Sequence, residues 1–366
     1  MRPNLSSPFE VFSPASDLIA TLILGSGALM LLSVCFAAFA LGSHVWSRYQ
    51  TRVWKRQKED WDAQIVTVLA GDLRPQTLTD TVPKKYYGSF LEALMPYATV
   101  VDGSEKQIIQ ALAAPFLPRV KANLSSRRSL VRARAVQRLG LLGGPEQAAA
   151  LRQMLDDSSP RVVERTVHSL ARVGGAADAE RLLDCLPRLA HVDPRHLSSS
   201  LVHLGEAAAP TMRAAMADDE RPPFVRICCA ETLRELRDTA SVAAAAWLLE
   251  DAKFRDMLQF PKVTASLLRL LKHLGKGVHG PLIRAYCHAP ASFVRLHAAR
   301  ALGQLGTPED EVLLGALVYG DESRWVALGA ARSLIEIGSI TPLRKLRTLD
   351  HPRAALASDL LLSFDQ

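Results

Sequence analysis

The stretch VRLHAARALGQLG, Val294 to Gly306, decides the fold of this 366-residue chain because it recurs. The same pattern is VRARAVQRLGLLG from Val131, VVERTVHSLARVG from Val162 and DPRHLSSSLVHLG from Asp193. It returns as VRICCAETLRELR from Val225, VTASLLRLLKHLG from Val263 and VALGAARSLIEIG from Val326. Alignment puts Leu139, Leu170, Leu201, Leu233, Leu271, Leu302 and Leu334 in one column, spaced by 31, 31, 32, 38, 31 and 32 residues. Counting from the first residue of each unit, apolar side chains fall at offsets 0, 4 or 5, 8 and 11. That is one face of an α-helix and excludes strand alternation. The residue at offset 12 is Gly in every unit but the fourth, which has Arg237. A Gly there predicts a helix ending in left-handed geometry.

A second helix follows in each unit. Gly144-Pro145-Glu146, Thr307-Pro308-Glu309 and Thr341-Pro342 read as N-cap regions with Pro at the first helical position. The runs AAALRQML, AERLLDCL, EVLLGALV and LRKLRTL carry the second apolar stripe. Two antiparallel helices in about 31 residues cannot bury their own faces, so the units must stack. The motif V-R-x-x-A-A-x-x-L-G-x-L-G, best seen at Val294–Gly306, resembles the HEAT repeat, and in particular the short bacterial PBS-lyase HEAT-like repeat. The resemblance covers roughly residues 129–348. It implies an all-α fold, a HEAT-type α-solenoid built as a right-handed superhelix of helical hairpins.

Ahead of the repeats lies an apolar run. From Leu18 to Gly42 there are 25 residues without a charge, which as a helix would rise about 37 Å, enough to cross a hydrocarbon core. Arg2 is offset by Glu10 and Asp17, unlike the positive leader of a cleaved signal peptide, and the run is too long for one. A single transmembrane helix is therefore expected. Arg48, Arg52, Lys55, Arg56 and Lys58 follow it before any acid. By the positive-inside rule this flank faces the cytoplasm. The expected placement is the inner membrane, single-pass, with the N-terminus out and the solenoid in the cytoplasm.

The resulting organisation is a short extracytoplasmic tail over 1–17, the transmembrane helix over 18–46, and a basic juxtamembrane helix with its linker over 47–83. An N-terminal helical cap at 84–128, with Ser104-x-x-Gln107 as a capping box, precedes seven repeats over 129–348 and a capping helix over 349–366. Residues 71–83, with Pro75 and Pro83, read as the linker itself. The net charge of +7 sits mainly at residues 44–128, which hold thirteen basic and eight acidic residues. The excess is thus a topology signal rather than a nucleic-acid footprint, and the array lacks an aromatic ladder for stacking bases. No nucleic acid is expected.

Candidate chemistry is sparse. His191, His196, His203, His273 and His279 lie at spacings that match neither HExxH nor the usual ligand pairs, so they read as exposed or groove-lining, with no metal. The chain contains no His-Glu dipeptide, which argues against a di-iron hydroxylase on a HEAT scaffold. Five cysteines without a CxxC suit a reducing compartment, and Cys229 falls in an apolar column. No catalytic residue, cofactor or enzymatic role is expected. Arg132, Arg226 and Arg295 share offset 1, where the resemblance implies a structural Arg that pairs with acids between units; Asp157 and Asp218 are candidates.

The 38-residue interval carries an insertion over 250–260, whose Phe254, Arg255, Met257, Leu258 and Phe260 form a candidate partner-binding element. The third unit lacks the opening Val and carries Pro194, a softer point or a bend. The expected function is a membrane-tethered scaffold or adaptor binding a protein partner, itself membrane-associated, with the bilayer contacted through one span. Self-association is left open. Chains with this layout resemble bacterial accessory proteins encoded near membrane glycosyltransferases of exopolysaccharide systems. The alternative is a HEAT-like bilin lyase or subunit, although such lyases are soluble and lack the span; nucleic-acid binding ranks below both.

Overall fold

The computed structural model describes residues 14–251 and 260–364; within 14–56, side chains are described at 25–27, 29–39 and 41. All regular structure among the described residues is helical. The chain divides into two compact bodies, Met1–Ala93 and Leu94–Gln366.

In the first body, helix α1 runs from Pro14 to Leu69. Its C-terminal part presents Trp61, Ile65 and Val68, spaced one and two turns apart, as a buried stripe. The Trp61 ring meets the Phe90 ring edge to face at 5.5 Å. Residues 71–83, expected as linker, contain helix α2 (Pro75–Thr81), whose Leu78 is buried. Proline opens this helix because it needs no amide donor there and its φ is already helical. Between Leu29 and Leu41 the large apolar side chains of α1 are exposed on all sides. Among the described residues no helix is long and apolar enough to cross a membrane, so the span expected at 18–46 is not found there. The basic flank Arg48, Arg52, Lys55 and Arg56 lies outside the described side chains, and Lys58 is half-buried.

Helices α3 (Tyr87–Val100), α4 (Gly103–Ala113) and α5 (Leu117–Ala122) come next. Ser104 does not cap α4: the cap residue is Asp102, Gly103 is already helical, and no side-chain cap bond forms. The first helices of the seven units are α6 (Ser129–Leu142), α8 (Pro160–Val173), α10 (Pro194–Leu201), α12 (Pro223–Glu235), α14 (Pro261–Leu274), α16 (Ser292–Leu305) and α18 (Arg324–Glu336). Between them run the second helices α7 (Ala148–Met154), α9 (Ala179–Cys185), α11 (Ala209–Ala217), α13 (Ser241–Glu250), α15 (Gly280–Ala285), α17 (Glu311–Gly320) and α19 (Thr341–Thr348). Helix α20 (Ala354–Phe364) closes the array.

First helices pack on one another as one continuous layer, and the second helices form the other. The Leu column from Leu139 to Leu334 is fully buried between them. Close approach within the first layer depends on glycine. A Cβ on Gly140 would lie 2.3 Å from the Ser169 Cβ, and one on Gly303 would lie 2.9 Å from the Ser333 Cβ. Helix α10 is the shortest of its layer and continues as a 3-10 turn, Val202–Leu204. Pro194 starts it, and the Asp193 side chain caps it by accepting from the Arg195 amide at 2.9 Å.

The offset-12 glycines do not all do what the sequence suggests. Gly205 and Gly338 have φ of 75° and 77°, and Arg237 takes φ 55° without being glycine. Gly143, Gly174, Gly275 and Gly306 are instead extended. Their reason for being glycine is steric. Each donates its amide to the carbonyl four residues back, and a Cβ would lie 2.4–2.6 Å from that same oxygen. The prolines at 145 and 308 open 3-10 turns that lead into the second helices, while Thr341 is helical and Ile340 caps its helix.

Two ladders of ion pairs tie the units together. In the first, Arg132 bonds Asp157 through Nε at 2.7 Å and Nη2 at 2.8 Å, and Arg295 bonds Asp321 at 2.6 and 3.0 Å. The third arginine of this column, Arg226, is buried, donates from Nε to the Met216 carbonyl at 3.0 Å and lies 5.8 Å from the Phe260 ring. Asp218, its candidate partner, sits 3.8 Å from Arg221. A second ladder joins Arg152 to Asp178, Arg213 to Asp238 and Arg284 to Asp310. Here the arginine leaves a second helix and the acid belongs to the turn opening the next second helix, 25 or 26 residues on.

Candidate functional site

Offsets 3, 6, 7 and 10 of the first helices share one face, two turns long, that the Leu column leaves outside the core. Two clefts open on this face. The first, of about 320 Å³, is lined by Gln137 and Leu141 of α6, Arg165, His168 and Arg172 of α8, and His196, Ser200 and His203 of the third unit. The second, of about 360 Å³, takes Asp193 and Arg195 from the third unit, Glu231 from α12, Arg269 from α14, and Phe293 with His297 from α16.

His168 and His196 line the first cleft, and Glu164 stands one turn before His168 on α8, within reach of His196 on α10. The Glu164 Oε1 to His196 Nε2 distance is 4.0 Å, and the two imidazole centroids are 4.8 Å apart. One ligand atom from each of the three residues falls within 4.8 Å of the others. The Ser200 hydroxyl bonds the His168 Nδ1 and also lies 3.3 Å from the His196 carbonyl. Burial, helped by the nearby His196, Arg165 and Arg172, pulls the His168 pKa down to about 4, so the ring is neutral at ordinary pH. Burial and Arg172 lower His203 as well.

The second cleft holds a charge network. Glu231, 1% exposed, accepts from Arg269 Nε at 2.7 Å, again from Arg269 Nη2, and from Arg234 Nε at 3.1 Å. Two guanidinium groups supply the compensation that a buried carboxylate requires. Arg269 also donates from Nη1 to His297 Nε2 at 3.1 Å. Arginine has only donors, so that nitrogen must be an unprotonated acceptor. Burial first, and the Arg269 and Arg300 charges second, bring the His297 pKa down to about 4.

Spacing along the chain passed over Glu164 and His168, because their partner His196 comes 32 and 28 residues later, in another unit. The signal that finds them is the repeat register: offsets 2, 6 and 3 of adjacent units converge. His191 and His273 are exposed and His279 is half-buried, and none of the three lines either cleft. Burial pushes the thiols of Cys185, Cys229 and Cys287 up to about 12, which removes them as nucleophiles. Of the insertion residues, Phe254, Arg255, Met257 and Leu258 lie outside the described residues, and Phe260 precedes α14.

A third feature lies along the edge of the same layer. At offset −1, Leu130, Phe293 and Trp325 are 47%, 40% and 55% exposed. The Arg324 guanidinium covers part of the Trp325 ring at 4.8 Å. Sequence alignment from offset 0 inward did not reveal this column, because it belongs to no core stripe.

The HEAT-repeats family profile matches residues 117–195, so the chain carries HEAT repeats over that part. No curated protein matches it in sequence. Several solved structures resemble it in fold. The CpcE–CpcF complex of phycocyanin lyase from Nostoc sp. PCC7120 is 19% identical over 68% of this chain and 88% of that one, with a TM-score of 0.34. Human deoxyhypusine hydroxylase in complex with glycerol is 16% identical over 79% and 98%, with a TM-score of 0.29. Kap121p bound to Nup53p is 11% identical over 75% and 40%, with a TM-score of 0.32.

Proposed function

We propose that this chain is a membrane-tethered scaffold whose first-helix layer binds a protein partner in extended form. The observation that carries the reading is the offset −1 column. Leu130, Phe293 and Trp325 leave large apolar area in water at equivalent positions of the first, sixth and seventh units, and Phe293 also lines the second cleft. Solvent gives no reason to repeat such exposure, whereas apolar anchors flanked by polar groups are what an interface uses. The buried thiols and the internally satisfied Glu231 favour binding over catalysis.

The tether rests on α1. A helix exposing Leu29–Leu32, Phe36, Phe39 and Leu41 on every side is poorly suited to water, and lipid is the environment that suits it. With the basic residues from Arg48 to Lys58 after it, the positive-inside rule puts the solenoid in the cytoplasm. The layout further suggests that the partner belongs to a membrane polysaccharide-synthesis system.

A photo-crosslinking residue placed at Phe293 or Trp325 in the full chain, in its own membrane, tests the reading. Expected is a discrete partner lost on Trp325→Ala. No adduct from either position, with normal membrane recovery of the chain, would sink the scaffold reading. Partners without any polysaccharide-synthesis protein would remove only that part. A reporter fused after Gln366 should be active in the cytoplasm; periplasmic activity would reverse the topology.

A further inference from the structure

We propose that Glu164, His168 and His196 form a binding site for a borderline divalent transition metal of the Zn²⁺ class, open to the cleft beside α8 and α10. The inference is independent of the partner reading above.

Two imidazoles and one carboxylate are a donor set that zinc accepts while leaving a coordination position free. Oxygen-seeking Ca²⁺ and Mg²⁺ disfavour two nitrogen donors. Glu164 and His168 at i and i+4 project in parallel from one helix, which fixes two ligands on a rigid element. His196 supplies the third from the adjoining unit, with its Nε2 4.0 Å from the Glu164 carboxylate. A tetrahedral zinc at about 2.1 Å from each donor needs donor separations of about 3.4 Å. The three atoms, within 4.8 Å of one another, therefore have at most about 1.4 Å to close. Glu164 and His196 reach solvent and can turn within their rotamer wells to do so.

The outer shell is already in place for His168. Ser200 has one proton, and the His196 carbonyl 3.3 Å from its hydroxyl can accept it. It then accepts from His168 Nδ1–H. An Nδ1–H donated to Ser200 leaves Nε2 bare as the metal donor, the role second-sphere groups play in zinc sites. Arg165 and Arg172 line the same cleft. Their charge works against a bare cation and in favour of an anion on its open position, so the bound metal would carry a carboxylate or phosphate ligand from outside the chain.

The test uses the untagged full-length chain, stripped with a chelator and titrated with Zn²⁺ and Co²⁺ alone. Expected are one equivalent of Zn²⁺ by calorimetry and visible d–d absorption from Co²⁺ with nitrogen donors. His196→Ala, at a solvent-reaching side chain, should abolish both while leaving the circular dichroism unchanged. Ser200→Ala should weaken binding by about tenfold, as loss of a second-sphere partner does. The proposal is overturned if Zn²⁺ shows no saturable binding, if His196→Ala and Glu164→Gln bind as tightly as the parent, or if Ca²⁺ and Mg²⁺ displace Zn²⁺ at comparable concentrations.

Discussion

Arg295 and Asp321, 26 residues apart, meet through two parallel hydrogen bonds of 2.6 and 3.0 Å. The same arginine donates from Nη1 to the Ala289 and Pro290 carbonyls, while Asp321 accepts the Ser323 amide at the start of α18. One guanidinium thus joins a first helix, the turn before it and the turn after its own unit. Arg132 does likewise with Asp157 and the Ser126 and Arg127 carbonyls, and Asp157 accepts the Ser159 amide. The duplication, five units apart, marks the pair as part of the repeat rather than of a ligand site.

Arg295→Met should therefore destabilise the sixth and seventh units. Breaking a fully buried pair costs about 3–5 kcal/mol, and a guanidinium whose rim reaches solvent should cost less, about 1–2 kcal/mol. Burial raises the Asp321 pKa, but the bonds from Arg295 and the Ser323 amide outweigh it and hold it below the ordinary value. The stability it contributes is complete above the unfolded carboxylate range and is lost as pH falls through the lowered folded value. In Arg295→Met that loss should begin at higher pH. Hydrogen exchange across α16–α18 at several pH values reads both effects.

Gly140→Ala should destabilise by about 2 kcal/mol or more, since the new Cβ would lie 2.3 Å from the Ser169 Cβ and 2.6 Å from its Cα. Helices α6 and α8 would have to separate. Gly320→Ala, where nothing lies within 4 Å, should be neutral or stabilising. Urea denaturation of the two variants side by side checks the contrast.

Arg237→Gly should stabilise the chain. An L-residue in left-handed geometry costs roughly 1–2 kcal/mol, and glycine removes that cost while giving back part of it as entropy in the unfolded chain. Because Arg237 is exposed at φ 55°, little packing is lost. The expected gain is about 0.5–1 kcal/mol, read as a higher denaturation midpoint.

His297 gives a pH signature. Its folded pKa of about 4 lies below the ordinary histidine value, so the unfolded chain takes up the proton first as pH falls. Stability from the neutral ring is complete above the unfolded pKa, near 6.5, and is lost between there and about 4. Protonation also turns the acceptor for Arg269 into a donor facing a donor. His297→Gln should flatten the decline across this window, and NMR titration of the ring should find the low pKa directly.

The period of the array was legible because each unit repeats the same local demands. Leu at offset 8 and the apolar residue at offset 11 must lie on one helical face wherever the unit occurs. Proline starts several helices for an equally local reason. Arg132 and Arg295 were visible as a column, and Asp157 as a candidate acid. The second ladder through Arg152, Arg213 and Arg284 was hidden, because each arginine is a lone charge on a short helix and its acid belongs to the next unit.

Sequence by itself determined the helical unit, its repetition and its buried columns, since these follow from side-chain order at a 3.6-residue period. It could not determine why the offset-12 glycines are needed, because four are extended and held by contact with a carbonyl oxygen while three positions are left-handed. Nor could it place Glu164 and His168 beside His196, or Arg269 between Glu231 and His297. Those meetings depend on how far one first helix slides and rotates on the next, and that is set by close packing at points such as Gly140 against Ser169. Local periodicity chooses the helix face; only the packed layer decides which side chains share a cleft.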